Sequence, residues 1–398
     1  MKIKTPIWIY PLVITGMVLM LASSCKKKEE IIVSEQPVNN WISLGGESNA
    51  LRPNGPIFTT CTDGSGNVYA AGAFTSASNK FYVAKWDGTV WSALGTGINE
   101  LNAIWYISTI CTDAAGNVYA AGYFPNSDNY CYVAKWDGTK WSELGSGSNR
   151  LNANKPIYSI CTDSSGNVYA AGAFTYPSGP YMFNEYVAKW NGTSWSEMGT
   201  GSNAFNFGGS HGPIYTICTD RGGNVYAAGS FSDSTFQHYV AKWDGTSWKK
   251  LGSGNNALNP NYYIWSVCTD GSGNVYANRG FVNPTFLEFY IAKWNGTNWD
   301  DLGKGNDGSI FNNIIGTLCT DASGNVYAAG VFSNAIRKYY VAKWDGTGWS
   351  ELGGTNNGLN AKDEINSICT DAAGNVYAAG AFTNATGCYV AKYPFDKH

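Results

Sequence analysis

Carboxylate side chains are the residues here whose chemistry is easiest to assess, because most glycoside hydrolysis needs two of them beside one bond. The acids outside repeated motifs are scattered over separate segments of the 398 residues: Glu47, Glu100, Asp128, Glu185, Asp233, Asp307, Asp363 and Glu364. Three histidines are too few for a histidine-based metal site, and no nucleophile stands beside a base. The sequence therefore predicts no catalytic residues, no metal ion and no cofactor, although an enzyme stays open as an alternative.

Aromatic side chains form a second group that could bind a ligand. Flat apolar rings beside polar groups are typical of ligand sites, including those for sugars and peptides. Two long loops, residues 175–185 and 200–213, carry such rings: Tyr176, Tyr181, Phe183, Phe205, Phe207 and His211. We predict that the two loops form an aromatic platform for a ligand. The alternative is that they only cover each other.

Other aromatic, acidic, basic and thiol side chains recur at fixed positions of a repeat. Thirteen of the 16 tryptophans occupy two such positions, which packing between copies explains better than stacking on a sugar. We expect the repeated aspartates to cap turns and the cysteines to be buried free thiols, too far apart for disulfides. The repeated aspartates are Asp63, Asp113, Asp163, Asp220, Asp270, Asp321 and Asp371, and the repeated lysines are Lys85, Lys135, Lys189, Lys242, Lys293, Lys343 and Lys392.

The repeat that carries these residues predicts the fold. Each copy has four short β-rich runs, a to d, separated by Asp-x-x-Gly-Asn turns, variable loops and Asp-Gly-Thr or Asn-Gly-Thr turns. In the first copy the runs span residues 57–62, 67–74, 81–86 and 91–94. Periods near 50 residues with four strands indicate an all-β, seven-bladed β-propeller of four-stranded antiparallel blades. The string Cys-Thr-Asp occurs once in each copy and marks it; the seven strings begin at Cys61, Cys111, Cys161, Cys218, Cys268, Cys319 and Cys369.

The two ends of the repeat region predict how the ring closes. The seventh copy ends after residues 391–395 and lacks the Trp-x-x-Leu-Gly run of strand d. That run occurs instead at residues 41–45, before the first Cys-Thr-Asp. We therefore expect the N-terminal strand to complete the last blade, which leaves no open terminal blade.

Two motifs resemble known propeller repeats. Gly-Asn-Val-Tyr-Ala-Ala-Gly-Ala-Phe and Ala-Lys-Trp-Asp-Gly-Thr-x-Trp-Ser-x-Leu-Gly-Ser-Gly resemble the repeats of secreted bacterial β-propellers, of the SBBP-type and kelch-like kinds, over residues 41–393. The tryptophan strand, glycine turn and aromatic strand are also similar to those of tachylectin-type lectin propellers. The first resemblance implies the fold, and the second implies a role in binding glycans.

One face of the predicted propeller varies between copies. The a-to-b and c-to-d turns are nearly identical, whereas the b-to-c and d-to-a loops differ; we call their side the variable face and expect it to bind the ligand. At the start of strand a, the residue after the repeated isoleucine varies and includes Tyr215 and Trp265. In blade five Arg279 replaces a glycine of the six other blades. We expect Arg279 either to pair with Glu288 or to contact a ligand.

The first residues predict export and lipidation. Lys2 and Lys4 precede an apolar run over residues 7–21, which is too short to span a bilayer as a helix. Residues 21–25, Leu-Ala-Ser-Ser-Cys, resemble the lipobox of bacterial lipoproteins; the alternative is a plain secretory signal. We predict a signal peptide over 1–24, a tether over 25–37 and the propeller over 38–398. Acyl chains such as palmitate on Cys25 would hold the protein on the bacterial cell envelope, at the outer membrane.

Composition narrows the function classes. A formal net charge of -3 gives no basic surface for nucleic acid, and 44% hydrophobic residues exclude intrinsic disorder. The leading hypothesis is a monomeric, non-catalytic binding module for a glycan or protein ligand. The alternatives are a carbohydrate-active enzyme, a lyase or glycosidase that uses the propeller channel, and a structural assembly component.

Overall fold

The computed structural model describes residues 40–46, 48–175, 185–199, 203, 209–258, 260–282, 287–303, 311–385 and 387–395. Within these residues the chain forms seven four-stranded antiparallel sheets, each with its strands in the order a-b-c-d. Strands a of neighbouring blades contact one another around the ring. The predicted all-β, seven-bladed propeller is confirmed.

In blade one strand a matches its predicted run, whereas strands b, c and d are shorter than predicted because tight turns and variable loops take the flanking residues. Strand a spans Ile57–Thr62, Ile107–Thr112, Ile157–Thr162, Ile214–Thr219, Val267–Thr269, Ile315–Thr320 and Ile365–Thr370. Strand b spans Val68–Gly72, Val118–Gly122, Val168–Gly172, Val225–Gly229, Val275–Val282, Val326–Gly330 and Val376–Gly380. Strand c spans Ala84–Trp86, Ala134–Trp136, Ala188–Trp190, Ala241–Trp243, Leu287–Trp294, Ala342–Trp344 and Ala391–Tyr393. Strand d spans Trp91–Ala93, Trp141–Glu143, Trp195–Glu197, Trp248–Lys250, Trp299–Asp301, Trp349–Glu351 and Ile42–Ser43.

Helical structure in the described residues is confined to single turns in the d-to-a loops. The 3-10 turns are Gly97–Asn99, Gly147–Asn149 and Gly254–Asn256, and an α-helical turn spans Gly354–Asn357. None of the described helices is long and apolar enough to cross a membrane. A small hairpin in the b-to-c loop of blade seven pairs Thr383–Asn384 with Gly387–Cys388.

The N-terminal strand completes blade seven, as the sequence predicts. Ile42 pairs with Lys392 and Ser43 with Ala391 in an antiparallel ladder. The Leu44 amide donates to the Val390 carbonyl at 2.8 Å, and the Leu44 side chain is buried. Two distant parts of the chain therefore share one sheet, and the ring has no unpaired blade at the junction.

A ring of threonine hydroxyls runs around all seven blades. Each threonine of the Cys-Thr-Asp strings donates its hydroxyl to the carbonyl of the same threonine in the preceding blade, at 2.8–2.9 Å. Thr62 of blade one donates to Thr370 of blade seven, so the ring crosses the closure without a break. The sequence shows that this threonine repeats but gives no indication of its role. Its contacts show that it joins blades through directed hydrogen bonds.

The repeated tryptophans pack the blades together, as predicted. Those of strands c and d contact each other within a blade, with ring centroids 5.6–5.9 Å apart in blades one to six. In six blades the strand-d indole also donates its Nε1 hydrogen to a carbonyl of the preceding blade, at 2.6–3.2 Å. In blade six, Trp349 Nε1 is buried and has no such partner among the described residues.

The repeated aspartates cap the a-to-b turns, as predicted. In blade one Asp63 Oδ1 accepts from the backbone amides of Ser65 and Asn67, and Oδ2 accepts from Asn67 Nδ2 and the Tyr69 hydroxyl. Burial alone would raise the pKa of Asp63, but these hydrogen bonds outweigh it and hold the pKa below its ordinary value. The repeated lysine lies over the same tyrosine, with Lys85 Nζ 5.8 Å from the Tyr69 ring centroid.

The described cysteines are free thiols, which confirms the prediction that the strand-a cysteines form no disulfides with one another. The strand-a cysteines are partly rather than fully buried as residues, since the ring leaves some of their surface open. Burial nevertheless raises the pKa of each strand-a thiol, including Cys61 and Cys111. These thiols are therefore protonated packing groups at neutral pH.

Candidate functional site

Large apolar side chains reach solvent mainly on the variable face. Among the described residues, most of those with high exposure lie in b-to-c or d-to-a loops: Ile98, Ile104, Trp105, Tyr130, Phe236, Tyr263 and Ile336. On the opposite face the corresponding described residues are Val90, in a c-to-d turn, and Phe395, beside the a-to-b turn of blade seven. Single exposed apolar residues are ordinary, but their concentration on one face is typical of an interaction surface.

A continuous row of aromatic rings crosses the variable face from blade one to blade five. In the order Phe58, Tyr106, Tyr123, Tyr158, Tyr215 and Trp265, successive ring centroids lie 5.6, 4.2, 5.9, 6.1 and 4.5 Å apart. The Tyr263 ring centroid lies 6.1 Å from that of Trp265. The Tyr215 and Trp265 rings are parallel to within 5°. We call this row the aromatic arc: Phe58, Tyr106, Tyr123, Tyr158, Tyr215, Trp265 and Tyr263.

The start of strand a positions most of the arc. Phe58, Tyr158, Tyr215 and Trp265 each follow the repeated isoleucine of their blade. Blade two has Ser108 at that place, and its hydroxyl donates to the Ile157 carbonyl at 2.6 Å.

Two tyrosines from neighbouring positions fill the gap that this serine leaves. Tyr106 precedes the isoleucine, and Tyr123 follows strand b. Their rings, 4.2 Å apart, keep the row continuous across blade two. Blades six and seven carry Gly316 and Asn366 at the same place, so within the described residues the arc covers five of the seven blades.

Tyrosine hydroxyls give the arc polar groups beside its rings. The Tyr123 hydroxyl donates to the Tyr158 hydroxyl at 3.3 Å. Burial, and then the hydrogen bond to Tyr123, raises the pKa of both Tyr106 and Tyr158 above the ordinary tyrosine value. These hydroxyls therefore stay protonated at neutral pH and can both donate and accept hydrogen bonds.

Blade five departs from the repeat because Asn278 replaces a small residue. Its side chain is fully buried, and Oδ1 accepts from the backbone amides of Trp265 and Ser266, both at 2.8 Å. These bonds take the place of strand pairing, and strand a of this blade is shortened to Val267–Thr269. The Asn278 side chain thereby fixes the backbone that presents Trp265 to the arc.

The same change explains how Arg279 is accommodated. In the six other blades a Cβ at this position would lie 2.1–2.5 Å from a carbonyl oxygen at the start of strand a, so only glycine fits. In blade five the pairing of strand a with strand b stops at Val267 and Ala277, and strands b and c extend to Val275–Val282 and Leu287–Trp294. Arg279 Nη1 pairs with Asp301 Oδ1 at 2.9 Å. The acid found here is thus Asp301 of strand d, which the sequence did not single out, while Glu288 accepts from the Tyr290 hydroxyl.

The structure brings together some of the predicted site residues. Tyr215 and Trp265 stack directly, whereas His211 is exposed in the d-to-a loop and Arg279 lies on strand b beside Asp301. The sequence-based prediction missed the arc members Tyr106, Tyr123 and Tyr263. The sequence did contain an indication of this region: Trp105 and Trp265 are the two tryptophans of the propeller region that lie outside the repeat positions, and each is next to or part of the arc. The predicted residues that lie outside the described residues are Cys25, Tyr176, Tyr181, Phe183, Phe205 and Phe207.

Comparison with known proteins identifies the fold. No family model matches the chain, and no curated protein sequence matches it. Among solved structures, the extracellular domain of a protein assigned as a hybrid two-component system of B. thetaiotaomicron is 12% identical with a TM-score of 0.57; the match covers 90% of this chain and 40% of that one. This chain therefore spans less than half of that protein's length.

Two other propellers give similar matches. The WD40 propeller domain of Doa1 is 10% identical with a TM-score of 0.54, and the match covers 89% of this chain and 97% of that one. An Aleuria aurantia lectin in complex with Fucα1-6GlcNAc is 16% identical with a TM-score of 0.44, over 74% of this chain and 94% of that one. At these identities the two matches with TM-scores above 0.5 show a shared fold and nothing about the ligand.

Proposed function

We propose that this chain is an extracytoplasmic, non-catalytic binding module that holds a glycan on its variable face. The observation that carries the proposal is the aromatic arc, an unbroken row of rings on one face of an otherwise regular ring. Rings that packing requires recur in every blade, whereas the arc position after the repeated isoleucine is aromatic in only four blades, and blade two continues the row with two rings from other positions. Such irregular assembly is typical of a surface selected for a ligand rather than for the fold.

Two exposed rings, one in the arc and one next to an arc member in the sequence, supply surfaces for stacking. Tyr263 is an arc member with 39% of its surface exposed, and Trp105, directly before Tyr106, is 58% exposed. The partly buried rings behind Tyr263 restrict its motion, so less conformational entropy is lost when a sugar stacks on it. The tyrosine hydroxyls nearby provide the hydrogen bonds that a sugar requires.

The acids of the variable loops support binding over catalysis, because several are already engaged. Glu100 pairs with Lys80 at 2.8 Å, Arg150 pairs with Asp128, and Asp233 pairs with Lys250 at 2.5 Å. A glycosidase needs an acid and a second carboxylate that face a common space. Local ion pairs in separate blades do not provide that arrangement.

A protein ligand is the second candidate, and exposed aliphatic groups favour it. Ile104 is 56% exposed and Ile336 is 67% exposed, both on variable-face loops. Aliphatic side chains contribute to protein interfaces through burial of apolar area. A sugar gains less from them than from rings.

For the cellular address, we propose the lipoprotein arrangement that the sequence predicts. The signal would occupy residues 1–24, and Cys25 would carry the acyl chains that hold a monomer at the outer membrane. Residues 25–37 would then tether the propeller, which begins at residue 38. The SBBP-type repeat resemblance supports export.

Binding of the purified chain to a glycan array tests the proposal. We expect Trp105→Ala combined with Tyr263→Ala to weaken the strongest interaction by about tenfold or more, since one such ring contributes about 1 kcal/mol. Val90→Ala is the matched control, because it removes an exposed apolar side chain from the opposite face. Unchanged glycan binding by the double variant would refute the site, and binding of an envelope protein instead would support the second candidate.

A further inference from the structure

A second groove lies on the outer part of the variable face, between blades two and three. Its volume is about 640 Å³, and its lining includes Tyr130, Arg150, Trp195 and Glu197. The b-to-c loop of blade two, the d-to-a loop that follows it and strand d of blade three form its walls. The aromatic arc, in contrast, is built mainly at the start of strands a. The two surfaces therefore use different elements.

The third residue of strand d has a regular partner in other blades. In blade two, Glu143 accepts two hydrogen bonds from Asn126 Nδ2, at 3.1 and 3.2 Å. In blade six, Glu351 accepts from Asn334 Nδ2 at 3.2 Å. Both asparagines stand two residues after the repeated phenylalanine that follows strand b. The repeat thus satisfies this carboxylate with an amide of its own blade.

Charges at this place are satisfied in blades four and five as well. Lys250 pairs with Asp233, at the same loop position as the two asparagines. Asp301 pairs with Arg279. The partner changes with the charge, but a partner is present in each of these four blades.

Glu197 of blade three breaks this rule. It makes no hydrogen bond and no ion pair in the part of the chain that the structure describes, and the sequence has Tyr176 where the asparagine would be. Burial raises its pKa, and no neighbouring described group offsets that effect. Arg150, the cation of the groove, already forms an ion pair with Asp128 through Nη1, and its Nε lies 3.6 Å from Glu143 Oε1. The Glu197 charge is therefore uncompensated among the described residues.

We propose that this groove is a binding subsite for an ammonium group, with Glu197 as its counter-ion. A half-buried carboxylate without a partner gains more from a cationic ligand than a satisfied one does, because the ion pair forms in a partly desolvated space. The rings of Tyr130 and Trp195 line the same groove and provide apolar and π surfaces that favour such a cation. The subsite accepts a primary amine carried by an amino sugar or by a lysine side chain.

This inference goes beyond the proposed function and does not depend on the arc. Its test uses calorimetry and ligand-observed NMR on the purified full chain with four probes. Glucosamine is compared with N-acetylglucosamine, and Nα-acetyl-lysine amide with its Nε-acetylated form. We expect the amine of at least one pair to bind about tenfold more tightly than its acetylated form. The preferred pair identifies whether the source is a sugar or a peptide.

Two carboxylate variants assign the amine preference to Glu197. Glu197→Gln should abolish the preference for the amine, whereas Glu351→Gln, at the same place in blade six, should leave it unchanged. Circular dichroism of both variants checks that they remain folded. Equal affinity for amine and acetylated forms, or an unaltered preference in the Glu197 variant, would overturn the proposal. The Trp105 and Tyr263 double variant should keep the amine preference, so failure of the arc is distinguishable from failure of this subsite.

Discussion

Replacing Trp248 by phenylalanine should destabilise the propeller more than the same replacement of Trp349. Trp248 Nε1 donates to the Met198 carbonyl of the preceding blade at 2.9 Å. Trp349 occupies the equivalent place in blade six, but its buried Nε1 has no acceptor among the described residues. Both indoles are buried, with 5% and 2% of their surfaces exposed, and phenylalanine removes the same ring atoms and the same donor at both positions. The difference between the two variants therefore reports mainly the hydrogen bond between blades.

The magnitude follows from the group left behind. Trp248→Phe leaves the Met198 carbonyl without its indole donor, which costs about 1–3 kcal/mol for a buried group. Trp349→Phe removes a donor that has no acceptor among the described residues, which offsets part of the lost packing. We expect the free energy of unfolding to fall by about 1–3 kcal/mol more in the Trp248 variant.

Guanidinium unfolding followed by far-ultraviolet circular dichroism measures this difference, provided that both variants keep the wild-type slope. The double variant serves as a control, since blades four and six are not adjacent and the two effects should add. Equal losses, or a larger loss for Trp349, would refute the idea that directed indole hydrogen bonds join the blades.

Two further predictions concern a charge and the anchor. Burial raises the folded-state pKa of Glu197 above its unfolded value, so ionisation of Glu197 destabilises the fold as the pH rises through the folded pKa. The stability gained by Glu197→Gln should therefore grow between about pH 4 and pH 7. Urea midpoints of the variant and the wild type that differ by a constant amount over this range would contradict this prediction. Cys25→Ser should move the protein from the membrane fraction to the soluble fraction and abolish labelling by a palmitate analogue; a variant that stays on the membrane would refute lipidation at this residue.

The turns of this molecule could be predicted from its sequence because the repeated aspartate acts on residues close to it in the chain. Asp63 caps a turn whose partners, Asn67 and Tyr69, lie within six residues. The closure was equally readable, since Trp41 is the one strand-d tryptophan found before the first marker. Short-range chemistry and counting were sufficient for both.

The site was harder to predict because it depends on substitutions that compensate in space. Tyr106 and Tyr123 continue the arc across blade two, where Ser108 stands in place of a ring, and neither tyrosine occupies the serine's repeat position. Trp265 is presented by Asn278, whose side chain replaces a backbone pairing. Glu197 resembles Glu143 and Glu351 in sequence, and only the contacts of its neighbours distinguish it. No periodic pattern encodes these relations.

Amide hydrogen exchange of the full chain, with and without the glycan that binds most strongly on the array, tests glycan binding at the arc most directly. Ligand binding to the variable face should slow exchange at the segments that carry the arc, around Tyr106, Tyr123, Tyr158, Tyr215 and Trp265. The a-to-b turns capped by Asp63 and its equivalents should exchange at the same rate in both states. Protection confined to those turns, with no change at the arc, would contradict a glycan site on the variable face.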